Sequence, residues 1–322
     1  MPIALTGIKP SGQPHLGNLL GMFRPALELA RQYETLYFIA DYHALTTLHD
    51  GKALRAYSDE VAATWLALGL DPERTLLYRQ SDVPQVMELS WILSCFTAKG
   101  VLDRAHAYKD AVAQEREVSA GTYTYPVLMS ADILAFDANF VPVGKDQKQH
   151  VEICRDIALR FNHTYGDILV PPEPLIREEV QTIPGLDGRK MSKSYNNTIP
   201  LFAPTAALRK RVMQIQTDST PVEAPKDADA SPVFQLYRHF ASAEETADLR
   251  ARLMAGGTGW AVAKDALFQA IERSLAEPRR IFTAWMEDRD RLHRVLAAGG
   301  ERARARAERR MRLIRRAVGA GA

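Results

Sequence analysis

Cysteine is scarce in this chain, and long hydrophobic runs are missing. The two cysteines, Cys95 and Cys154, stand far apart among 322 residues, which argues against a disulfide framework and against metal clusters of the usual cysteine spacing. No apolar run approaches the ~20 residues that cross a bilayer, and the first residues do not form a secretory leader. We therefore expect a reduced, cytoplasmic setting and no membrane partner.

An excess of charge of one sign is also missing, because 41 basic residues nearly balance 39 acidic ones. The end of the chain differs, since residues 301–316 contain eight arginines and two glutamates. A single apolar stripe at helical spacing is formed there by Ala303, Ala307, Met311, Ile314 and Val318. Packing this stripe on the body would turn a cationic face outward. That face is either a surface for phosphates or an ordinary solvated helix surface.

Strand and helix patterns alternate in the first third of the chain. Apolar runs at residues 3–8, 36–40 and 76–78 predict buried strands, and helical spacing fills the intervals between them. This rhythm is typical of an α/β fold with a doubly wound parallel sheet. Residues 83–130 read as a mostly helical insertion, after which residues 140–144 resume strand character.

The second half of the chain has few strand patterns. Four prolines make residues 171–189 loop-like, and residues 217–232 form a linker rich in Asp, Pro and Ser. Helical patterns fill what remains. We therefore predict an α/β domain at residues 1–195, with a loop at 188–195, and a helical domain at residues 196–322 that ends in the basic helix.

Residues 14–18, Pro-His-Leu-Gly-Asn, lie between the first strand and the first long helix. Ligands of doubly wound sheets bind at this edge, where a helix N-terminus attracts anions. His15 and Asn18 can donate hydrogen bonds to phosphate oxygens, and Gly17 lets a ligand approach the backbone. The alternative is a plain turn in which Asn18 caps the helix.

Residues 190–194, Lys-Met-Ser-Lys-Ser, follow Gly188 and Arg189. Two lysines and two hydroxyls on a loop can close over a triphosphate and neutralise charge as pyrophosphate leaves. The alternative is a solvated basic loop.

Residues 144–147, Gly-Lys-Asp-Gln, close one strand and open a helix. Gly144 permits close approach of a ligand, Asp146 can bond a ribose hydroxyl, and Gln147 can reach an amino or carboxylate group. The alternative is a helix capped by Asp146.

The segments at residues 14–18 and 190–194 resemble the two signatures of class I aminoacyl-tRNA synthetases. Residues 41–44, 125–134, 141–162 and 217–219 are further similar to the tryptophanyl-tRNA synthetases. This resemblance implies a Rossmann catalytic domain, a helical anticodon-binding domain and a homodimer. It also implies that L-tryptophan and ATP, with Mg²⁺ bound through the nucleotide and not by the protein, give tryptophanyl-adenylate, from which tryptophan passes to tRNA(Trp).

The resemblance also implies roles for individual residues. Catalytic roles fall to His15, Asn18, Lys190 and Lys193. Contacts with ATP fall to Lys9, Pro10, Ser11, Gly17, Asn18, Gly144, Lys145, Asp146, Ile183, Lys190, Met191, Ser192, Lys193 and Ser194. Lys9 and Lys145 stand where many relatives have other residues, so their contacts are the least defined.

For tryptophan, the resemblance implies that Asp132 accepts the indole N–H. Phenylalanine has no such donor and would leave a buried carboxylate unpaired. The other residues implied for this pocket are His43, Tyr125, Met129, Val141, Val143 and, for the α-amino group, Gln147. A plain core role is nearly as good an interpretation for Met129 and the two valines.

Two other functions remain open from the sequence. A tyrosyl-tRNA synthetase shares the fold and the Gly-x-Asp-Gln element. A non-catalytic paralogue that binds RNA or senses amino acids would need no lysine at position 193, so the intact signatures argue against it.

Overall fold

The computed structural model describes residues 1–113, 117–144, 147–176 and 182–321, apart from the side chains of Ala107 and Asp110. Its sheet has five parallel strands in the order β3-β2-β1-β4-β5. The strands are β1 (Ile3–Ile8), β2 (Glu34–Ile39), β3 (Leu76–Arg79), β4 (Phe140–Val143) and β5 (Glu173–Ile176). The predicted doubly wound sheet is confirmed, and its strand order reverses direction between β1 and β4, where ligands of such sheets bind.

The strand at the edge, β5, contradicts our expectation of a loop across residues 171–189. Glu173 pairs with Phe140 and Ile176 with Val143, so these four residues extend the sheet. Pro174 lies inside the strand, which an edge position permits because one side of the backbone needs no partner. The prolines that suggested a loop therefore mark a short edge strand.

Helices cover both faces of the sheet in the first half of the chain. A continuous helical segment follows β1, and its middle, Leu19–Phe23, is a π-helix. The α-helices of this half are α1 (Leu16–Asn18), α2 (Arg24–Leu29), α3 (Asp41–Ala44), α4 (Gly51–Ala67), α5 (Gln85–Ser94), α6 (Lys99–Asp103), α7 (His106–Ala113), α8 (Ala120–Leu134) and α9 (Lys148–Tyr165). Since α5 to α7 and most of α8 occupy residues 83–130, the predicted insertion is helical as expected.

The second half of the described chain is helical after Ser194. Its helices are α10 (Thr205–Met213), α11 (Pro232–Tyr237), α12 (Ala243–Ala255), α13 (Trp260–Glu287) and α14 (Arg289–Val318). The long helix α13 packs against α4, α10 and α11. Within the described ranges, no helix combines the length and the apolar character that crossing a bilayer requires.

The last helix, α14, joins the two halves of the molecule. Leu292 and Leu296 pack in one hydrophobic core with α13 and α4. The predicted stripe is confirmed, because Ala303, Ala307, Met311 and Ile314 are fully buried in the second core, and Val318 packs at its edge. Gly299 allows the helix to lie directly on β3, since a Cβ there would meet the Leu77 carbonyl oxygen at 1.8 Å.

Most arginines in residues 301–316 of α14 bind the body of the protein. Five of these eight donate hydrogen bonds to residues that precede the second signature. They are Arg302 to Pro72 and Glu73, Arg304 to Asp82, Arg306 to Glu34, Arg310 to Asp137 and Ile168, and Arg315 to Glu88. Much of the predicted cationic face therefore holds the helix in place, and a role in binding phosphates stays a prediction for the rest.

Candidate functional site

The two signature segments lie side by side at the carboxyl edge of the sheet. The backbone N–H of Leu16 donates to the Ile199 carbonyl at 3.0 Å, and the N–H of Leu201 donates to the Pro14 carbonyl at 3.0 Å. These bonds pair the first signature with the strand-like segment that follows the second. The two segments predicted to contact one nucleotide therefore lie next to each other.

Gly17 contacts Met191 of the second signature directly. Its backbone N–H points at the Met191 sulfur, 3.2 Å away. A Cβ at position 17 would lie 3.0 Å from the His15 ring and 3.3 Å from the Met191 Cβ. Glycine is therefore needed for the close fit of helix α1 against this loop.

Lys193 extends from the second signature across the first. A Cβ on Gly12 would lie 3.2 Å from the Lys193 Nζ, so the ammonium rests on this turn. Although the residue as a whole is exposed, burial of its ammonium end lowers the pKa of Lys193 to about 8, and the charge of Glu60 opposes that shift. Because the buried ammonium has already lost part of its hydration, it binds an anionic ligand more readily than a fully hydrated ammonium does.

His15 and Asn18 lie at the start of α1. Burial, together with the charge of Lys193, lowers the pKa of His15 to about 4, so the ring is neutral at pH 7. Asn18 Oδ1 accepts the backbone N–H of His15 at 3.1 Å. The amide NH₂ of Asn18 is then its donor toward a ligand.

The loop at residues 190–194, which we call the lysine loop, is organised by Asn197. This buried side chain accepts the Ser192 N–H at 2.8 Å and donates to Asp187 Oδ1 at 2.7 Å and to the Lys190 carbonyl at 3.1 Å. Asn197 was not among the residues predicted from the sequence. Its position just after the signature is the only signal that could have suggested a supporting role.

The remaining residues of the loop differ in exposure. Met191 donates its N–H to the Ile183 carbonyl at 2.8 Å, and both residues are buried. The Ser192 and Ser194 hydroxyls lie 2.8 Å apart. Lys190 is exposed. The loop therefore carries a lysine at the surface next to the buried Met191.

Lys9, Pro10 and Ser11 form the turn after β1. The Lys9 Nζ donates to Thr46 Oγ1 at 2.9 Å, and burial lowers its pKa. Pro10 is buried and Ser11 is exposed. Beyond β4, Gly144 is exposed, while Lys145 and Asp146 lie outside the described residues.

A cavity of about 220 Å³ opens beside this turn. Six of the seven residues predicted to bind tryptophan line it, namely His43, Tyr125, Met129, Asp132, Val141 and Gln147. Val143 is half-buried and is not among the lining residues. Lys9 lines the same cavity, which places it at the border between the cavity and the cleft.

Leu5, Gly7 and Phe38 also line the cavity and were not predicted. A Cβ on Gly7 would approach the Phe38 ring to 2.4 Å. Glycine at this position therefore lets the ring lie flat over β1 and form the apolar wall. The apolar wall suits a flat aromatic ligand.

Asp132 lies in the last turn of α8 and is 2% exposed. Gln80 Nε2 donates to its Oδ1 at 2.8 Å and to its Oδ2 at 2.9 Å, and His43 Nε2 lies 2.8 Å from Oδ2. Burial raises the pKa of Asp132, while the hydrogen bonds of His43 and Gln80 oppose that shift. A buried acceptor in an apolar cavity is a partner for a ring N–H.

Among the described residues, no group of three or more His, Cys, Asp or Glu side chains could hold a metal ion. The oxygens of a triphosphate are ligands that Mg²⁺ prefers. Binding of Mg²⁺ through the nucleotide stays a prediction.

Comparison with known proteins places this geometry in a family. Residues 1–276 match the family described as tRNA synthetases class I (W and Y). The tryptophan–tRNA ligase of Bordetella parapertussis is 50% identical over 330 residues, which cover 99% of this chain and 73% of that protein. The tryptophan–tRNA ligase of Xanthomonas campestris is 51% identical over 313 residues, which cover 94% of this chain and 72% of that protein.

A solved structure is similar over the same length. The tryptophanyl-tRNA synthetase from Campylobacter jejuni, complexed with ADP and tryptophan, superposes with a TM-score of 0.94 at 42% sequence identity. The match covers 98% of this chain and 99% of that one.

Proposed function

Because the chain belongs to the family of class I tRNA synthetases (W and Y), we propose that it is a tryptophan–tRNA ligase that activates L-tryptophan with ATP and transfers it to tRNA(Trp). One observation carries the proposal. A buried carboxylate, Asp132, lines a cavity with an apolar wall next to the turn and the loop in which the nucleotide signatures meet. Similarity to tryptophan–tRNA ligases at about half identity supports the same substrate.

The first step needs no nucleophile from the enzyme. The tryptophan carboxylate attacks the α-phosphorus of ATP, one oxygen–phosphorus bond forms, and the bond to the β-phosphate breaks as pyrophosphate leaves. Catalysis is then a matter of position and charge. In the second step a ribose hydroxyl at the tRNA end attacks the carbonyl carbon, and AMP leaves.

We assign the nucleotide to the cleft between the signatures. Helix α1 offers its N-terminus, with His15, Gly17 and Asn18, to the phosphates. Lys190 and Lys193 approach from the lysine loop and neutralise the charge that develops on pyrophosphate. Mg²⁺ accompanies the triphosphate.

In the cavity, we propose that the indole ring lies against Phe38 and Met129 with its N–H on Asp132. Tyr125 and Gln147 then take the α-amino end. The hydroxyl of a tyrosine side chain could also donate to a carboxylate, so Asp132 alone does not separate the two amino acids. Similarity to tryptophan–tRNA ligases at about half identity favours tryptophan over the tyrosine alternative.

The partners are proposals as well. Residues 1–195 form the catalytic part, and residues 196–322 read the anticodon of tRNA(Trp), with α14 attached to both. Helix α5 exposes Met87 and Trp91, which are 44% and 74% exposed and lie one turn apart. We propose this face as part of the contact in a homodimer, which functions in the cytoplasm.

Pyrophosphate exchange into ATP tests the proposal, with each of the twenty amino acids supplied in turn. We expect exchange that depends on tryptophan alone, followed by charging of tRNA(Trp). Exchange with tyrosine instead would make the protein a tyrosyl-tRNA synthetase. Binding of tRNA without any exchange would support the non-catalytic paralogue.

A further inference from the structure

Gln80 lies just after β3, at the carboxyl edge of the sheet, and is fully buried. Its Oε1 accepts the backbone N–H groups of Tyr42 at 3.1 Å and of His43 at 3.3 Å. Because both partners are donors, the oxygen of this amide must face α3. The orientation of the amide is therefore set by the backbone, and its NH₂ group must face the other way.

On that other side lies Asp132. The Gln80 Nε2 is 2.8 Å from Oδ1 and 2.9 Å from Oδ2, and the His43 Nε2 is 2.8 Å from Oδ2. A carboxylate has about four acceptor positions, and these three contacts use all but one. The remaining position is on Oδ1, the oxygen that His43 does not reach.

We propose that Gln80 is a specificity-determining residue, which acts by holding the Asp132 carboxylate so that a single acceptor position on Oδ1 is left for a ring N–H of the substrate. This inference rests on the proposed function, because it deepens the recognition of tryptophan. Gln80 is a positioning residue, since it is absent from the residues that line the cavity.

The physical reason lies in the cost of an unpaired buried group. With a fixed carboxylate, a ligand that lacks the N–H leaves Oδ1 unsatisfied and cannot be accommodated by rotation of Asp132. Without Gln80 the carboxylate can turn, bind water and accept ligands that have no donor. Discrimination should then fall even where the cavity keeps its shape.

The experiment compares tryptophan with its analogue β-(3-benzothienyl)alanine, in which sulfur replaces the ring N–H. The variant Gln80→Met removes the hydrogen bonds to Asp132 and those to the backbone of Tyr42 and His43 at nearly constant volume. The control variant is Gln85→Met, because Gln85 also donates to a carboxylate, that of Glu308 at 3.0 Å, outside the cavity. For each protein, pyrophosphate exchange gives kcat/KM for both amino acids and KM for ATP.

We expect the preference for tryptophan over the analogue to fall by about tenfold or more in Gln80→Met, with KM for ATP unchanged. Gln85→Met should keep the preference of the native protein. An equal loss of kcat/KM for both amino acids would overturn the proposal, because a purely structural role affects both alike. Lack of exchange in the native protein would instead contradict the proposed function.

The variant Gln80→Glu gives an independent readout and decides the matter if Gln80→Met does not fold. The second carboxyl oxygen of the new side chain would face the carboxylate of Asp132. Two buried carboxyl groups this close to each other repel unless they share one proton. We expect kcat/KM for tryptophan to recover toward the native value at pH 6 and to fall by about tenfold by pH 8. A pH profile parallel to that of the native protein would overturn the proposal.

Other ionisable groups also face Asp132. His43 and Asp41 act on it from α3, and Tyr78 and Cys154 approach it from β3 and α9. Burial raises the pKa of Cys154 to about 12 and the pKa of Tyr78 well above its usual value, so neither titrates between pH 6 and pH 8. The native profile provides the reference for His43 and Asp41, which are common to all variants.

Discussion

The cavity lined by Asp132 and the lysine loop are built in opposite ways. Asp132 is buried and bonded to His43 and to Gln80, which are buried as well. The lysine loop rests on the buried Met191 and Asn197, while Lys190 is exposed and Lys193 is exposed except for its buried ammonium end. We therefore expect the first region to be arranged before the substrate arrives and the second to adjust its charges as the substrate binds.

This difference follows from the two tasks. Recognition of one N–H requires an acceptor that cannot turn away or find water, so its partners must be fixed. Neutralising pyrophosphate requires a cation only while the bond breaks and must release the product afterwards. We therefore expect changes in the cavity to alter selectivity and changes in the loop to alter rate.

The largest effect is expected for Lys193→Ala, which should slow adenylate formation by about a hundredfold or more. Tryptophan binding should change little, because the lysine does not line the cavity. Single-turnover kinetics and equilibrium binding of tryptophan measure the two effects separately. Lys52→Ala removes an exposed lysine elsewhere and serves as the control. Unchanged single-turnover rates in Lys193→Ala would remove the lysine from the mechanism.

For Asp132→Asn we expect a loss of about tenfold or more in the preference for tryptophan over phenylalanine. The new NH₂ group would face the donors of Gln80 and His43, so the amide cannot keep the position of the carboxylate. A competition assay with both amino acids measures the preference. The matched variant Asp103→Asn changes an aspartate at the surface. If selectivity survives in Asp132→Asn, the carboxylate is not the selective group.

The pH dependence separates the two regions further. The pKa of Lys193 is lowered to about 8, and a lysine loses its charge as the pH rises through its pKa. We therefore expect kcat/KM for ATP, which reports the free enzyme, to decline above about pH 8, by about tenfold per pH unit at the alkaline end. Lys193→Arg should remove this decline, because guanidinium stays charged. A decline that is identical in the arginine variant would assign it to another group.

The smallest effect is expected for Asn197→Ala. Two hydrogen bonds to the lysine loop and one to Asp187 would be lost, so KM for ATP should rise several-fold while KM for tryptophan stays constant. The free energy of unfolding should fall by about 1–3 kcal/mol, since the loop's buried polar groups lose their partner. Thermal unfolding measures the stability, and pyrophosphate exchange measures the two KM values. An equal rise in the two KM values would show that the loop and the cavity are not independent.

Much of the fold could be predicted because its signals are local. Apolar runs marked four strands, and the spacing of Ala303, Ala307, Met311 and Ile314 marked the buried side of α14. The strand at Glu173–Ile176 was missed because it depends on pairing with β4 and on packing against α9, which nothing in its own residues reveals. The surface on which α14 packs was also not predictable, since it depends on the fit of Gly299 to Leu77.

The candidate site likewise contains residues that could be predicted from the sequence and residues that could not. The signature segments and most of the cavity followed from the resemblance, because they carry recognisable runs of residues. Gln80 and Asn197 did not, since each acts through groups distant in sequence or through the backbone. Gln80 is 52 residues from Asp132, and only the parallel sheet brings the two together.

We propose that one nucleotide binds between residues 14–18 and the lysine loop, beside a cavity whose acid accepts a ring N–H. A crystal structure with tryptophan and a non-hydrolysable ATP analogue tests it most directly. We predict the triphosphate between Gly17 and Lys193, and the indole nitrogen about 3 Å from Asp132 Oδ1. A nucleotide bound elsewhere, or an indole nitrogen turned away from Asp132, would contradict the account.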